Sequence, residues 1–200
     1  MNYPYLDPLS PILATQFTHL PHWHQGEKIV FVTFRLNDSI PAKRLLALEE
    51  YRQLWMGQNR PPYSREKEIE YRRLFYAPKE IWLDEGLGSC VLKDPVIADL
   101  VQNELLKNNG VTYQLIAYVI MPNHVHALLI TSEKTSASSI CGYWKGASSL
   151  NINRHLGRRG QLWQHETWDT ILRSDRHLDH VRRYIYQNHQ HGGILYDSLM

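Results

Sequence analysis

Residues 113–120 (YQLIAYVI) and 124–131 (HVHALLIT) are two apolar stretches separated only by Met121, Pro122 and Asn123. Their β-branched and aromatic content reads as strand, and Pro and Asn supply tight-turn chemistry. The two strands are therefore neighbours joined as a hairpin, and the rest of the chain has to be arranged around that pair. Ahead of them, residues 28–36 (KIVFVTFRL) read as a third strand. Asn37, Asp38 and Ser39 then give turn and cap chemistry before Pro41, which suits the first turn of a helix. Leu45, Leu46, Leu48 and Leu54 give that helix an apolar side to about Trp55, and Gly57 to Pro62 break the pattern.

Residues 64–76 are heavily charged and read as a second, more exposed helix. Residues 95–106 form a third, with Ile97, Leu100, Val101 and Leu105 on one side and Asn109-Gly110 at its end. After the hairpin come a helix over 136–156, a short strand over 168–173, and a last helix from Asp175. That helix carries Leu178, Val181 and Ile185 at helical spacing until Gly192-Gly193 stop it. Mixed order with hairpin-linked strands is the mark of an α+β protein. The simplest fit is a ferredoxin-like, split βαβ antiparallel sheet with helices packed on one face and a C-terminal helix. Residues 1–27, rich in Pro, His and aromatics, read as an irregular extension, and 28–200 as one domain.

Composition narrows the setting. Of the 200 residues, 43% are hydrophobic and 21% charged, as in ordinary globular proteins. No apolar run reaches the roughly 20 residues that span a bilayer, and the N-terminus lacks the pattern of a signal peptide. Two cysteines, Cys90 and Cys141, form no CxxC pair, which excludes a disulfide framework or a zinc-thiolate site and points to the cytoplasm. The net charge is only +2, but from Lys134 to His165 there is no Asp or Glu. Lys145, Arg154, Arg158 and Arg159 fall in that stretch, Arg173 and Arg183 follow, and Trp144 and Trp163 stand among them. A basic run with aromatics suits a phosphate backbone and unpaired bases; the same run also suits a solvated face.

The chemistry centres on His124 and His126. Residues i and i+2 of a strand point to one face, so the two imidazoles stand side by side and are able to hold one divalent cation, with Val125 turned into the core. On the last helix Tyr184 and Asn188 are four apart and share a face. A phenol is a competent nucleophile for covalent catalysis, and an amide oxygen suits hard ions such as Mg²⁺ or Mn²⁺. Tyr186 and Gln190 have the same spacing. Two residues on a helix are about 200° apart, so only one tyrosine faces the site, and spacing alone does not choose between them.

The segment 118–129 (YVIMPNHVHALL) resembles the HUH signature of the IS200-like and REP-associated single-tyrosine transposases. So do LPHW at 20–23, FVTFRL at 31–36 with the serine and proline near 39–41, GQLWQHETWDTILR at 160–173, and RYIYQN at 183–188. The resemblance implies that His124 and His126 are metal ligands and that Asn188 is the third. It implies Tyr184 as the nucleophile, since Ile185 and Asn188 stand where the tyrosine motif requires them, and Tyr186 falls on a variable position. It implies a cytoplasmic, prokaryotic enzyme that uses Mg²⁺ or Mn²⁺ to cleave single-stranded DNA at hairpin-associated sites. A 5′-phosphotyrosine forms, a 3′-OH is freed, and the strands are rejoined, as in DNA transposition or repeat processing. Lys145, Arg154, Arg158, Arg159, Arg173, Arg183, Trp163 and Gln164 are the expected DNA contacts. The alternative on the same fold is a domesticated, non-catalytic hairpin-binding protein. The resemblance admits both a homodimer that exchanges the tyrosine helix and a monomer. The sequence departs from the motif after Asn188, where His189 replaces a proline and Gln190-His191-Gly192-Gly193 replaces a following basic residue.

Overall fold

A computed structural model describes residues 3–15 and 22–198, without the side chains of residues 14, 15, 22 and 23. The LPHW stretch at 20–23 thus lies outside what is described, apart from the backbone of its last two residues. The chain divides into two compact units, residues 1–37 with 91–200, and residues 38–90.

The first unit contains the strands β1 (Leu13–Thr15), β2 (His22–His24) and β3 (Ile29–Arg35), and a 3-10 turn at Val91–Lys93. Then come α4 (Pro95–Leu106), β4 (Gln114–Ile120), β5 (His124–Ile130), α5 (Ala137–His155), β6 (Trp168–Ile171), α6 (Asp175–Gln190) and β7 (Ile194–Asp197). Five strands make one antiparallel sheet in the order β6-β3-β5-β4-β7. Leaving β7 aside, the chain order strand–helix–strand–strand–helix–strand with this spatial order is the expected ferredoxin-like arrangement. β7 extends it at the β4 edge. β1 and β2 pair separately inside the segment expected to be irregular; three residues each is too short for alternation to show.

Strand alternation sends alternate side chains to two cores. Val30, Val32 and Phe34 of β3 and Val125, Ala127 and Leu129 of β5 face α4 and α5. Ile29 and Phe31 of β3 and Leu128 and Ile130 of β5 face the other way, where Leu178, Val181 and Ile185 of α6 cover them. A bulge at Ile116 in β4 turns both Ile116 and Ala117 to the α6 side and resets the phase, so that Val119 and Met121 also lie there. Each helix begins where its cap chemistry dictates. Asp94 accepts from Val96 N–H ahead of Pro95, Ser136 from Ser139 N–H, and Ser174 from His177 N–H.

The second unit holds α1 (Ala42–Gln58), α2 (Arg65–Phe75) and α3 (Ala77–Asp84), the last unforeseen because Pro78 follows so soon after α2. Trp55, Tyr71 and Phe75 pack ring against ring, and the Trp55 indole donates to Glu70 at 3.2 Å. Where the unit closes, Asp38 accepts from Ser89 N–H at 2.8 Å. Gly88 is required there, since a Cβ would meet the Asp38 carbonyl.

Candidate active site

On the face that α6 covers, the side chains of β3 and β5 change character along their length. Ile29 and Phe31 are followed by Thr33 and Arg35, and Ile130 and Leu128 are followed toward the start of β5 by His126 and His124. The register sets Thr33 opposite His126 and Arg35 opposite His124. Four polar residues thus occupy one end of an otherwise apolar face, and all four are at most 5% exposed. Val125 points the other way into the core, as expected.

The two imidazoles converge. Their Nε2 atoms are 3.0 Å apart, with the rings close to perpendicular at 77°. Their other nitrogens are held from outside: His124 Nδ1 is 2.7 Å from Asn123 Oδ1, and His126 Nδ1 is 2.7 Å from Thr33 Oγ1. Phe31 stacks on His126 at 5.5 Å between centroids. Burial pulls the His124 imidazole down to about 3 from its ordinary 6.5. Burial, with His124 alongside, pulls His126 well below its ordinary value. Both rings are therefore neutral at physiological pH, the form that ligates metal.

Tyr184 reaches this pair from α6. Its hydroxyl lies 3.3 Å from His126 Nε2, and its ring meets His126 at 5.0 Å and Phe31 at 6.1 Å. Tyr186 is 45% exposed and faces His189 instead. Asn188 is buried, one turn on from Tyr184, and its amide nitrogen donates to the Tyr184 carbonyl at 3.0 Å. His189, the departure from the tyrosine motif, closes the turn after α6 through its Nδ1 and the Gly193 carbonyl, 2.7 Å apart.

The donor set fits a divalent cation. Two nitrogens each about 2.1 Å from a metal and at right angles would stand about 3.0 Å apart, the spacing found here. Among the described residues no group of three or more His, Cys, Asp or Glu gathers. A cation here would complete its shell from oxygens such as the Asn188 amide and those of a bound substrate.

The expected DNA contacts divide. The bridge between Leu36 and Trp163 brings the loop after α5 to the end of the sheet where the histidines lie. Arg154 and Arg159 are exposed near that loop, and Arg158 is half-buried, bonded to Asn153 Oδ1 and the Gln161 carbonyl. Arg173 and Arg183 are exposed, after β6 and on α6 respectively. Trp163 is 4% exposed, donates to Ser148 Oγ and packs edge-on to Phe34; Trp144 is likewise core, donating to Tyr113. Lys145 is drawn inward: its ammonium donates to the Gln164 and His165 carbonyls and to Thr167 Oγ1, and burial lowers its pKa. It thereby straps the loop that carries half-buried Gln164, whose N–H donates to the Arg35 carbonyl.

Sequence reasoning passed over Thr33, Arg35 and Asn123. The signal for Thr33 and Arg35 was present in FVTFRL, where the only polar residues stand two apart on one face of a strand. Arg35 donates to the Leu36 carbonyl, and burial pulls its guanidinium down to about 10, with Glu166 acting in the opposite direction.

Residues 96–188 match the family described as "Transposase IS200 like", a span that takes in both histidines, Tyr184 and Asn188. No curated protein matches the chain. Among solved structures it is similar to a REP-associated tyrosine transposase bound to a REP hairpin, at 15% identity over 88% of this chain and 75% of that one, with a TM-score of 0.46. It is also similar to a candidate transposase from Deinococcus radiodurans R1, at 13% identity over 82% of this chain and 93% of that one, with a TM-score of 0.34. The matched residues 96–188 carry the paired histidines and the tyrosine facing them, and over that span the chain is similar to the IS200-like transposases.

Proposed function

We propose that this protein is a metal-dependent strand-transfer enzyme acting on single-stranded, hairpin-bearing DNA through a covalent tyrosyl intermediate. The observation that carries the reading is the Tyr184 hydroxyl, 3.3 Å from an imidazole nitrogen whose neighbour is a second, equally buried imidazole. His124, His126 and Asn188 are the residues that would hold Mg²⁺ or Mn²⁺. When bound, such an ion supplies charge neutralisation at the scissile phosphate.

The protein's own groups do the rest. Tyr184 attacks phosphorus, a phosphorus–phenol oxygen bond forms, and the bond to the 3′ oxygen breaks. The phenol proton is given up and the leaving 3′ oxygen takes one. The 5′ phosphate stays on Tyr184 until a 3′-OH reverses the exchange, so no nucleotide cofactor is consumed. Burial of both rings excludes water from one side of the reacting phosphate. Arg154, Arg158, Arg159, Arg173 and Arg183 contact the DNA backbone. Gln164, on the loop strapped by Lys145 and footed on Trp163, contacts the unpaired strand.

The test is a denaturing gel of the purified chain incubated with a pool of single-stranded hairpin oligonucleotides and Mg²⁺ or Mn²⁺. The wild type and Tyr186→Phe form a covalent adduct, whereas Tyr184→Phe and chelated protein form none. An adduct that survives Tyr184→Phe and is lost in Tyr186→Phe would overturn the assignment. Hairpin binding by the wild type without any adduct would favour the non-catalytic reading.

A further inference from the structure

Each imidazole of the pair has an outer partner, and the two partners differ in kind. His124 Nδ1 faces an amide oxygen, Asn123 Oδ1, and His126 Nδ1 faces a hydroxyl, Thr33 Oγ1, both at 2.7 Å. An amide oxygen only accepts, whereas a hydroxyl donates or accepts. His124 Nδ1 must then carry its ring's hydrogen, which leaves His124 Nε2 a bare lone pair. Two bare lone pairs do not rest 3.0 Å apart, as these Nε2 atoms do, unless a hydrogen or a cation lies between them.

Without a cation, that hydrogen belongs to His126 Nε2. His126 Nδ1 is then an acceptor, and Thr33 donates to it. With a cation between the rings both Nε2 atoms must be bare, so the His126 hydrogen sits on Nδ1 and Thr33 accepts. Thr33 and Asn123 are 3% and 0% exposed, so no bulk water competes for either bond.

We propose that Asn123 and Thr33 are positioning residues with unequal tasks. Asn123 holds His124 permanently as the Nδ1–H tautomer. Thr33 lets His126 change from Nε2–H to Nδ1–H when a divalent cation enters. One N–H bond breaks and one forms: the Nε2 proton leaves to solvent, a solvent proton arrives at Nδ1, and the ring stays neutral throughout. The cation-bound half of this inference rests on the metal-dependent reading above; the cation-free half does not.

The experiment is long-range proton–nitrogen NMR on ¹⁵N-histidine protein, with the rings assigned through single His→Gln variants. It is run first in chelator and then with Zn²⁺, a diamagnetic ion that favours imidazole. In chelator, His124 shows a bare Nε2 and His126 a bare Nδ1; with Zn²⁺ the His126 pattern inverts and that of His124 does not. Nδ1–H on His126 already in chelator, or Nε2–H on His124, overturns the inference while the metal reading survives. If Zn²⁺ leaves all four nitrogens unmoved, the switch and the metal reading fall together. Thr33→Val weakens Zn²⁺ binding by about 10–100-fold, and Thr33→Ser restores it to within a few-fold. Equal loss in both variants would mean that Thr33 only fills space, and would overturn its positioning role.

Discussion

Two neutral imidazoles sealed into a sheet face make stability depend on pH in a window that is unusually easy to isolate. In the metal-free protein His124 titrates near 3 when folded and near 6.5 when unfolded. The unfolded chain therefore binds more protons below pH 6.5, and stability is complete above that value and lost as pH falls toward 3. At about 1.4 kcal/mol per pH unit, His124 alone costs about 2 kcal/mol at pH 5. His126, pushed the same way by burial and by His124, adds to that loss. That is a large share of the roughly 5–15 kcal/mol that holds a domain together. Carboxylates begin to matter only near pH 4, so pH 6.5 to 5 belongs largely to histidine. The assay is urea unfolding in chelator at pH 7.5, 6.5, 5.5 and 5.0, for the wild type and for His124→Gln with His126→Gln. The wild type loses at least about 2 kcal/mol across that range and the double variant loses a small fraction of it. Equal slopes in the two proteins would refute the claim that these rings are held neutral.

Three further outcomes are expected. Because the folded rings do not take protons until far below neutrality, cation affinity measured by calorimetry should be flat from pH 7.5 to 6, where an exposed histidine pair would lose affinity; a steady fall over that range would contradict the burial argument. Gly193→Ala places a Cβ on Val119 Cγ2 and 2.6 Å from Met121 Sδ; a loss of about 1–3 kcal/mol on thermal unfolding is expected, and an unchanged melting temperature would show that the turn yields freely. Lys145→Met removes a half-buried strap with three acceptors and lowers stability by about 1–3 kcal/mol, with no change in the salt slope of hairpin binding. Arg159→Ala leaves stability alone and makes that slope shallower by about one unit; the reverse pattern would exchange their roles.

The fold was legible where periodicity had room to show itself. The hairpin of β4 and β5, the length of α4 and the apolar stripe of α6 all appear in the structure within a residue or two of the sequence reading. Of the elements of three or four residues β6 was read, at 168–173, but β1, β2 and β7 were not, because alternation needs more positions than each of them supplies. The pairing of histidines on β5 follows from strand geometry alone, and the choice between Tyr184 and Tyr186 does not. It takes the packing of Leu178, Val181 and Ile185 to turn α6 so that Tyr184 meets His126 and Tyr186 meets solvent. The basic stretch misled in part for a similar reason. Charge and aromatic content were read without burial, and Lys145 and Trp163 are spent on holding a loop and filling a core.

The position of Tyr184 depends on residues that take no part in the chemistry. At the start of α6, Tyr5 donates to Asp175 at 2.5 Å, and the Leu6 N–H donates to the Leu172 carbonyl, so the N-terminal segment pins the helix where it leaves β6. At the far end β7 pairs with β4 from Ala117 to Ile120, and Arg182 reaches Asp197 at 2.6 Å. A helix held only by its apolar stripe can slide or roll by a fraction of a turn at little cost, because such stripes are tolerant of shape. One held at both termini cannot do so without breaking strand pairing. The histidines need no such care, being fixed by hydrogen bonds on both sides of β5. The two halves of the site are therefore stabilised by different means, a central strand for the two imidazoles and a doubly tethered helix for Tyr184 and Asn188. Loosening β7 should move the tyrosine, and Asn188 with it, while leaving the imidazole pair in place.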